Sequence, residues 1–475
     1  MTLRKSRWFA AVVAVGMAAA MPAVAEVTPN PIFSDGMVLQ QGTTVPIWGT
    51  ADPGAEVTVS FRDQEATATA GDDGTWMATL NDLEAGGDGG TLTIASGDDS
   101  VTIENVLVGE VWVCSGQSNM QWAVSQSANP DEVIAGSEDD QLRLLTVPRV
   151  GTGEPQDTVD VSWSASSPET IPGFSAVAYH FGKMLRKELG VPVGLISTNF
   201  GGTPAEAWTD TAALAAHPYL KGILDRPENP RESHRPGWLY NAMIHPIVPY
   251  GIAGAIWYQG ESNAGQAFEY RTLFPTMIEN WRDAFGQGDF PFLLVQLAPF
   301  RAIRTEPGPS DWAELREAQL LATQVLRNVA MAVITDVGEE DDIHPKAKEP
   351  VGQRLALAAL ALEYGKDIPY SGPTLRSASF AGGKATLKFD HADGGLVAKD
   401  GSLTGFTIAG EDQKFVNAEA EIVDEETIVV SSPEVDHPVA VRFGWDDYPV
   451  VNLWNGADLP ASPFRTDSWP GITVR

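Results

Sequence analysis

The chain has 475 residues, 43% of them hydrophobic and 20% charged, a globular composition whose length is a prior for two or three domains. With 31 Lys and Arg against 63 Asp and Glu, its formal net charge of −32 argues against a nucleic-acid partner, because binding a phosphate backbone needs clustered cations. The single cysteine, Cys114, excludes an internal disulfide framework and any cysteine-rich zinc site.

Arg4, Lys5 and Arg7 precede an apolar run over 8–20, and Ala23-Val24-Ala25 supplies a small-residue cleavage pattern before Glu26. Residues 1–25 therefore read as a signal peptide, the run being shorter than the ~20 residues a membrane span requires. The expectation is an exported protein, periplasmic or extracellular, with no membrane attachment once the leader is removed. Residues 26–105 read as an N-terminal β-sandwich-like domain. Segments rich in β-branched residues, such as 56–61 and 91–94, alternate there with turn chemistry such as Asp52-Pro53-Gly54 and Asp72-Asp73-Gly74.

From 106 the pattern changes. Buried strands are expected over 106–114, 191–197, 252–258, 292–297 and 329–335. Helices are expected between and after them, over 174–189, 270–285, 312–327 and 349–364. Strands alternating with helices predict a parallel sheet covered on both faces, with ligand sites at the C-terminal strand ends. This α/β domain is expected to occupy 106–366. A C-terminal β region is expected over 367–475, where strand-like segments such as 385–389 and 439–443 return.

Four segments carry candidate chemistry. Gly116-Gln117-Ser118-Asn119-Met120 follows a strand, and a serine at such a turn is exposed with its own N–H aimed at an incoming carbonyl; a turn-capping serine is the plainer alternative. Asp341-Asp342-Ile343-His344-Pro345 offers a histidine with a nearby orienting carboxylate, or else a surface histidine among acids. Asn199-Phe200-Gly201-Gly202-Thr203 allows close backbone approach and an N–H donor, or a tight turn. Trp257-Tyr258-Gln259-Gly260-Glu261-Ser262-Asn263 carries an amide and a carboxylate. No His-Glu-x-x-His or comparable metal pattern is present. Trp122, Trp208, Trp238, Trp257 and Tyr258 lie near these segments. They are suited to stack on a sugar ring, although large aromatics more often fill cores. His180 and His245 read as structural.

Taken in order, these segments resemble the sialate O-acetylesterases of the SGNH (GDSL-like) hydrolase superfamily. The stretches 31–40, 236–243 and 459–465 extend the resemblance over nearly the whole chain after the leader. The resemblance implies a three-layer α/β/α SGNH-type hydrolase domain with a parallel sheet, flanked by N- and C-terminal β-sandwich-like regions. It implies Ser118 as nucleophile, His344 as general base and Asp341 as the carboxylate that orients it. Asp342 and Glu261 are the alternatives for that last role. The implied oxyanion hole comprises the N–H groups of Ser118 and Gly202, or Gly201, with the Gln259 side chain; Asn119 stands beside the nucleophile. No cofactor or metal is implied, and the implied substrate is an acetylated sugar or glycan. Acetylxylan esterase activity and a non-catalytic carbohydrate-binding protein are the competing readings.

Overall fold

The computed structural model describes residues 26–474 apart from Gly87. The leader read over 1–25 lies outside the described residues. The first described module pairs two small sheets. Thr28–Pro29, Val45–Thr50 and Thr75–Leu80 form one antiparallel sheet, and Glu56–Phe61, Gln64–Thr69 and Gly90–Ser96 pair with the beginning of Asp99–Gly116 in the other. Val57, Val59 and Phe61 from one sheet and Trp76, Ala78 and Leu80 from the other alternate into a shared core, the period of two expected of half-buried strands.

The change of pattern at 105/106 marks a bulge rather than a linker. Asp99–Gly116 is one continuous 18-residue strand. Its register against Gly90–Ser96 shifts between Gly90 and Leu92, beside Asn105, which adopts a left-handed φ of 55°. A bulge bends and twists a strand, and here it redirects the chain from the small sheet into a large one.

In that large sheet the second half of Asp99–Gly116 is central. The spatial order is Trp163–Ser166, Asp139–Thr146, Val193–Asn199, Asp99–Gly116, Gly254–Tyr258, Phe292–Val295, Val329–Ala332. All pairings are parallel except that of the edge strand Trp163–Ser166. Sequence patterning missed two members, Asp139–Thr146 and Trp163–Ser166. The first opens on two aspartates and carries Arg143 in its middle; that buried guanidinium is held by the carbonyls of Gly36 and Asp140.

Alternate residues of the central strand feed opposite layers. Val111 and Val113 face the helices Ala267–Phe285 and Asp311–Val325 through Tyr270, Trp281 and Leu315. Trp112 and Cys114 face Ala176–Leu189 and Glu349–Leu362 through Phe181 and Leu355. Ser175 and Ser310 cap two of these helices by accepting from the N–H groups of Ala178 and Ala313. The core of the N-terminal module is continuous with the first of these faces.

The C-terminal region builds two four-stranded sheets around its own core of Leu387, Phe389, Ile408, Phe443 and Phe464. It is fastened to the α/β domain by the wholly buried Arg316. That guanidinium donates to the carbonyls of Leu297 and Ala298 on one side and of Asp446 and Asp447 on the other. Among the described residues no helix is long and apolar enough to cross a membrane.

Candidate active site

Because the strands are parallel, the loops leaving Gly116, Asn199, Tyr258 and Ala332 share one edge of the sheet, where open α/β sheets place their sites. The first turn depends on Gly116. Its φ is +136°, and a Cβ there would sit 2.2 Å from the carbonyl oxygen of Tyr258 on the neighbouring strand. Gln117 N–H donates to that same carbonyl at 3.0 Å, and Ser118 then opens the short helix Ser118–Gln121.

Ser118 Oγ lies 2.9 Å from His344 Nε2, across 226 residues of sequence. His344 sits in the loop between Val329–Ala332 and Glu349–Leu362. The carboxylate facing its other ring nitrogen belongs to Asp342: Oδ1 accepts the His344 main-chain N–H at 2.8 Å and lies 3.6 Å from Nδ1. This corrects the expectation for Asp341, which is exposed and makes no ion pair with His344. The reason is local. An Asx turn folds the Asp342 side chain back over the residue two positions on, and Asp341, one position earlier, is out of register with that turn. Glu261, the other alternative, is bonded to Asn119 Nδ2 at 2.6 Å and so does not orient the imidazole directly. Burial and the nearby Lys348 hold the His344 pKa below its ordinary value, with Asp342 opposing them.

Gly201 packs against Ser118, where a Cβ would come within 3.3 Å of the Ser118 Cβ, and its N–H is already taken by Gln121 Oε1 at 2.8 Å. Gly202, at φ +76° and exposed, keeps its N–H free of any protein acceptor among the described residues, as does Ser118. Gln259 departs from expectation. Its side chain is 0% exposed, and both Nε2 protons are committed, to the Thr203 carbonyl at 3.2 Å and to Asn263 Oδ1 at 2.7 Å. Tyr270 Oη–H donates to its Oε1 at 2.9 Å. The amide therefore holds the Gly202 loop to the Gly260 loop from beneath and has no donor left for an oxyanion.

Beside the reacting pair lies a residue that sequence reasoning did not single out. Lys348 is 1% exposed, and its Nζ donates to Asn119 Oδ1 at 2.5 Å. Burial, opposed chiefly by Glu261, brings its pKa down to about 7, while burial pushes the Glu261 carboxyl upward. Trp208, Trp257 and Tyr258 are wholly buried and belong to the core, whereas Trp122 and Trp238 remain partly exposed. His180 is buried away from these groups in Ala176–Leu189, and His245 Nδ1 lies 3.0 Å from the Gln156 carbonyl. Among the described residues no group of three or more His, Cys, Asp or Glu is placed to hold a metal ion.

A family model described as carbohydrate esterase, sialic acid-specific acetylesterase, matches residues 108–361, the span of the parallel sheet and its helices. The chain belongs to this family. It is also 31% identical to the human sialate O-acetylesterase over 92% of this chain and 93% of that one, and 29% identical to the mouse protein over 90% and 92%. Among solved structures, a carbohydrate acetylesterase from Xanthomonas citri is similar at 40% identity with a TM-score of 0.87, covering 93% of this chain and all of that one. As a carbohydrate esterase of this family the chain is an ester hydrolase, and the family's chemistry is removal of O-acetyl groups from sugars.

Proposed function

We propose that this carbohydrate esterase is an exported SGNH-type serine hydrolase that removes O-acetyl groups from glycans through an acetyl-serine intermediate. The observation carrying the proposal is the 2.9 Å approach of Ser118 Oγ to His344 Nε2, next to two backbone N–H groups left free. Neutral His344 takes the Ser118 proton as Oγ bonds to the acetyl carbonyl carbon, and Asp342 stabilises the imidazolium that forms. The carbonyl oxygen, now anionic, is received by the N–H groups of Ser118 and Gly202, each worth about 3 kcal/mol when well aimed. The tetrahedral intermediate collapses, the C–O bond to the sugar breaks, and His344 returns the proton to the leaving alcohol. Water, deprotonated by His344, then attacks the acetyl-serine; acetate leaves and the Ser118 hydroxyl is restored. No step requires a cofactor.

Acetylated sialic acid is the substrate class favoured by the likeness to the mammalian sialate O-acetylesterases, while the likeness to a bacterial carbohydrate acetylesterase is compatible with other acetylated sugars; acetylated xylan is the competing class. The deciding experiment is acetate release by the chain beginning at Glu26, in parallel with Ser118→Ala. Substrates are 9-O-acetylated sialic acid, acetylated xylo-oligosaccharides and an aryl acetate, with acid-quenched samples searched for acetyl-Ser118. Ser118-dependent turnover with a trapped adduct is expected. Sugar binding without any ester cleavage would instead support a non-catalytic binding protein. Sequencing the N-terminus of the protein recovered outside the cytoplasm tests export, with Glu26 as the expected first residue.

A further inference from the structure

Lys348 sits where a lysine is doubly unfavourable. It is the N-cap of Glu349–Leu362, so its cation lies at the positive end of a helix dipole, and it is almost wholly buried. A cation kept in such a place requires compensating contacts, and those present all lead to the reacting pair. Its Nζ donates to Asn119 Oδ1 at 2.5 Å. Anchored so, Asn119 turns its Nδ2 toward two acceptors, Glu261 Oε1 at 2.6 Å and the Ile343 carbonyl at 3.0 Å. Asn119 follows Ser118, and Ile343 precedes His344. The remaining Glu261 oxygen is buried without a hydrogen-bond partner, and the Tyr258 and Trp122 ring faces lie 5.3 and 6.0 Å from the ammonium.

We propose that Lys348 is a positioning residue for the Ser118–His344 pair: through Asn119, and balanced by Glu261, it ties the nucleophile's helix to the histidine's loop from below. The proposal rests on the reading of Ser118 and His344 as nucleophile and base. The clamp uses three separate β-to-α loops, so each hydrogen bond removes a degree of freedom between the two reacting atoms. A misplacement of about 1 Å there costs about a hundredfold in rate. The pair also acts electrostatically. Lys348 disfavours the imidazolium and Asp342 favours it, while Glu261, Asp342 and Glu339 are the carboxylates that face Lys348 itself.

The test uses Lys348→Met and the double variant Lys348→Met/Glu261→Gln, each confirmed as folded by circular dichroism and thermal melting. Both are assayed on an aryl acetate across the pH range, with Ser118→Ala as control. For Lys348→Met the expected result is a fall in kcat of about tenfold or more, with KM within about twofold. The acid limb of kcat/KM should move to higher pH, because the cation that disfavours the imidazolium has been removed. The double variant leaves no buried unpaired charge, so it is the form expected to fold best; with Lys348 absent its acid limb should stay above that of the wild type while kcat stays low. Wild-type kcat in either folded variant would overturn the positioning role. A fall in kcat with no movement of the limb in Lys348→Met would overturn the charge balance. Full activity in Ser118→Ala would instead overturn the nucleophile assignment on which both rest.

Discussion

The Trp122 indole lies face to face with the His344 imidazole, with ring centroids 4.8 Å apart and planes 14° apart. The indole is fixed independently, since its Nε1–H donates to the Gln126 carbonyl at 3.0 Å. The stack covers one face of the imidazole, restrains its rotation, and presents a π surface that would favour the imidazolium of the proposed mechanism. Trp122→Ala is expected to lower kcat on an aryl acetate about tenfold, with Trp122→Phe keeping most of it. Unchanged kcat on the aryl ester, with KM raised only for sugar substrates, would make Trp122 a sugar platform instead.

Asp342 supports His344 differently. Its Oδ1 is hydrogen-bonded to the His344 main-chain N–H, and the 3.6 Å to Nδ1 is a contact of charge rather than a short hydrogen bond. Asp342→Asn is therefore expected to lower kcat by about ten- to a hundredfold, less than the loss of a fully buried triad carboxylate. Asp341→Asn should leave turnover near that of the wild type. Parallel steady-state assays decide, and the reverse order would restore Asp341 to the role expected from its spacing.

The contrast between these aspartates shows what a sequence conveys and where it stops. The positions of Ser118 and Gly202 at the strand edge were legible because each sits just after an apolar strand in a glycine-containing turn whose geometry is local, and His344 was legible from an Asp-Asp-x-His sequence in the loop before a helix. The β, α/β, β order was legible for the same reason, since period and turn residues report on their own neighbourhood. Asp341 against Asp342 turns on which carboxylate closes an Asx turn, and both satisfy the composition. Gln259 was misread because its partners, Thr203, Asn263 and Tyr270, arrive from loops and a helix that no pattern in 257–263 names. Lys348 gave no signal, since a lysine before a helix reads as solvated until folding buries it. Asp139–Thr146 was hidden by Arg143, whose guanidinium is held by the Asp140 carbonyl of its own strand and the Gly36 carbonyl of the N-terminal module.

Burial, followed by the Lys348 charge, lowers the His344 pKa from its ordinary 6.5. In the proposed mechanism His344 is the general base, whose active form is unprotonated, so activity should be lost as pH falls through this lowered value and not before. The half-maximal point on the acid side of the kcat/KM profile for the aryl acetate is therefore expected below pH 6.5, measured between about pH 4 and 8. A midpoint at or above 6.5 in protein still folded by circular dichroism would contradict the electrostatic balance assigned to the site.

Arg316 should be central to the architecture. Its guanidinium joins the Leu297 and Ala298 carbonyls after Phe292–Val295 to the Asp446 and Asp447 carbonyls of the C-terminal region. One turn along the same helix, Gln319 donates to the Gln259 carbonyl at 3.0 Å, so the fastening reaches the floor of the site. Replacing the guanidinium by Met leaves these carbonyls buried with fewer donors, at an expected cost of about 1–3 kcal/mol for each acceptor left unpaired. Arg316→Met should therefore melt well below the wild type, and a chain ending at residue 366 should not hold the site together. A scaffold role predicts that both lose turnover on the aryl acetate, a substrate with no glycan for a separate binding module to recognise. Wild-type turnover by the truncated chain would show that the C-terminal region serves something other than the catalytic fold.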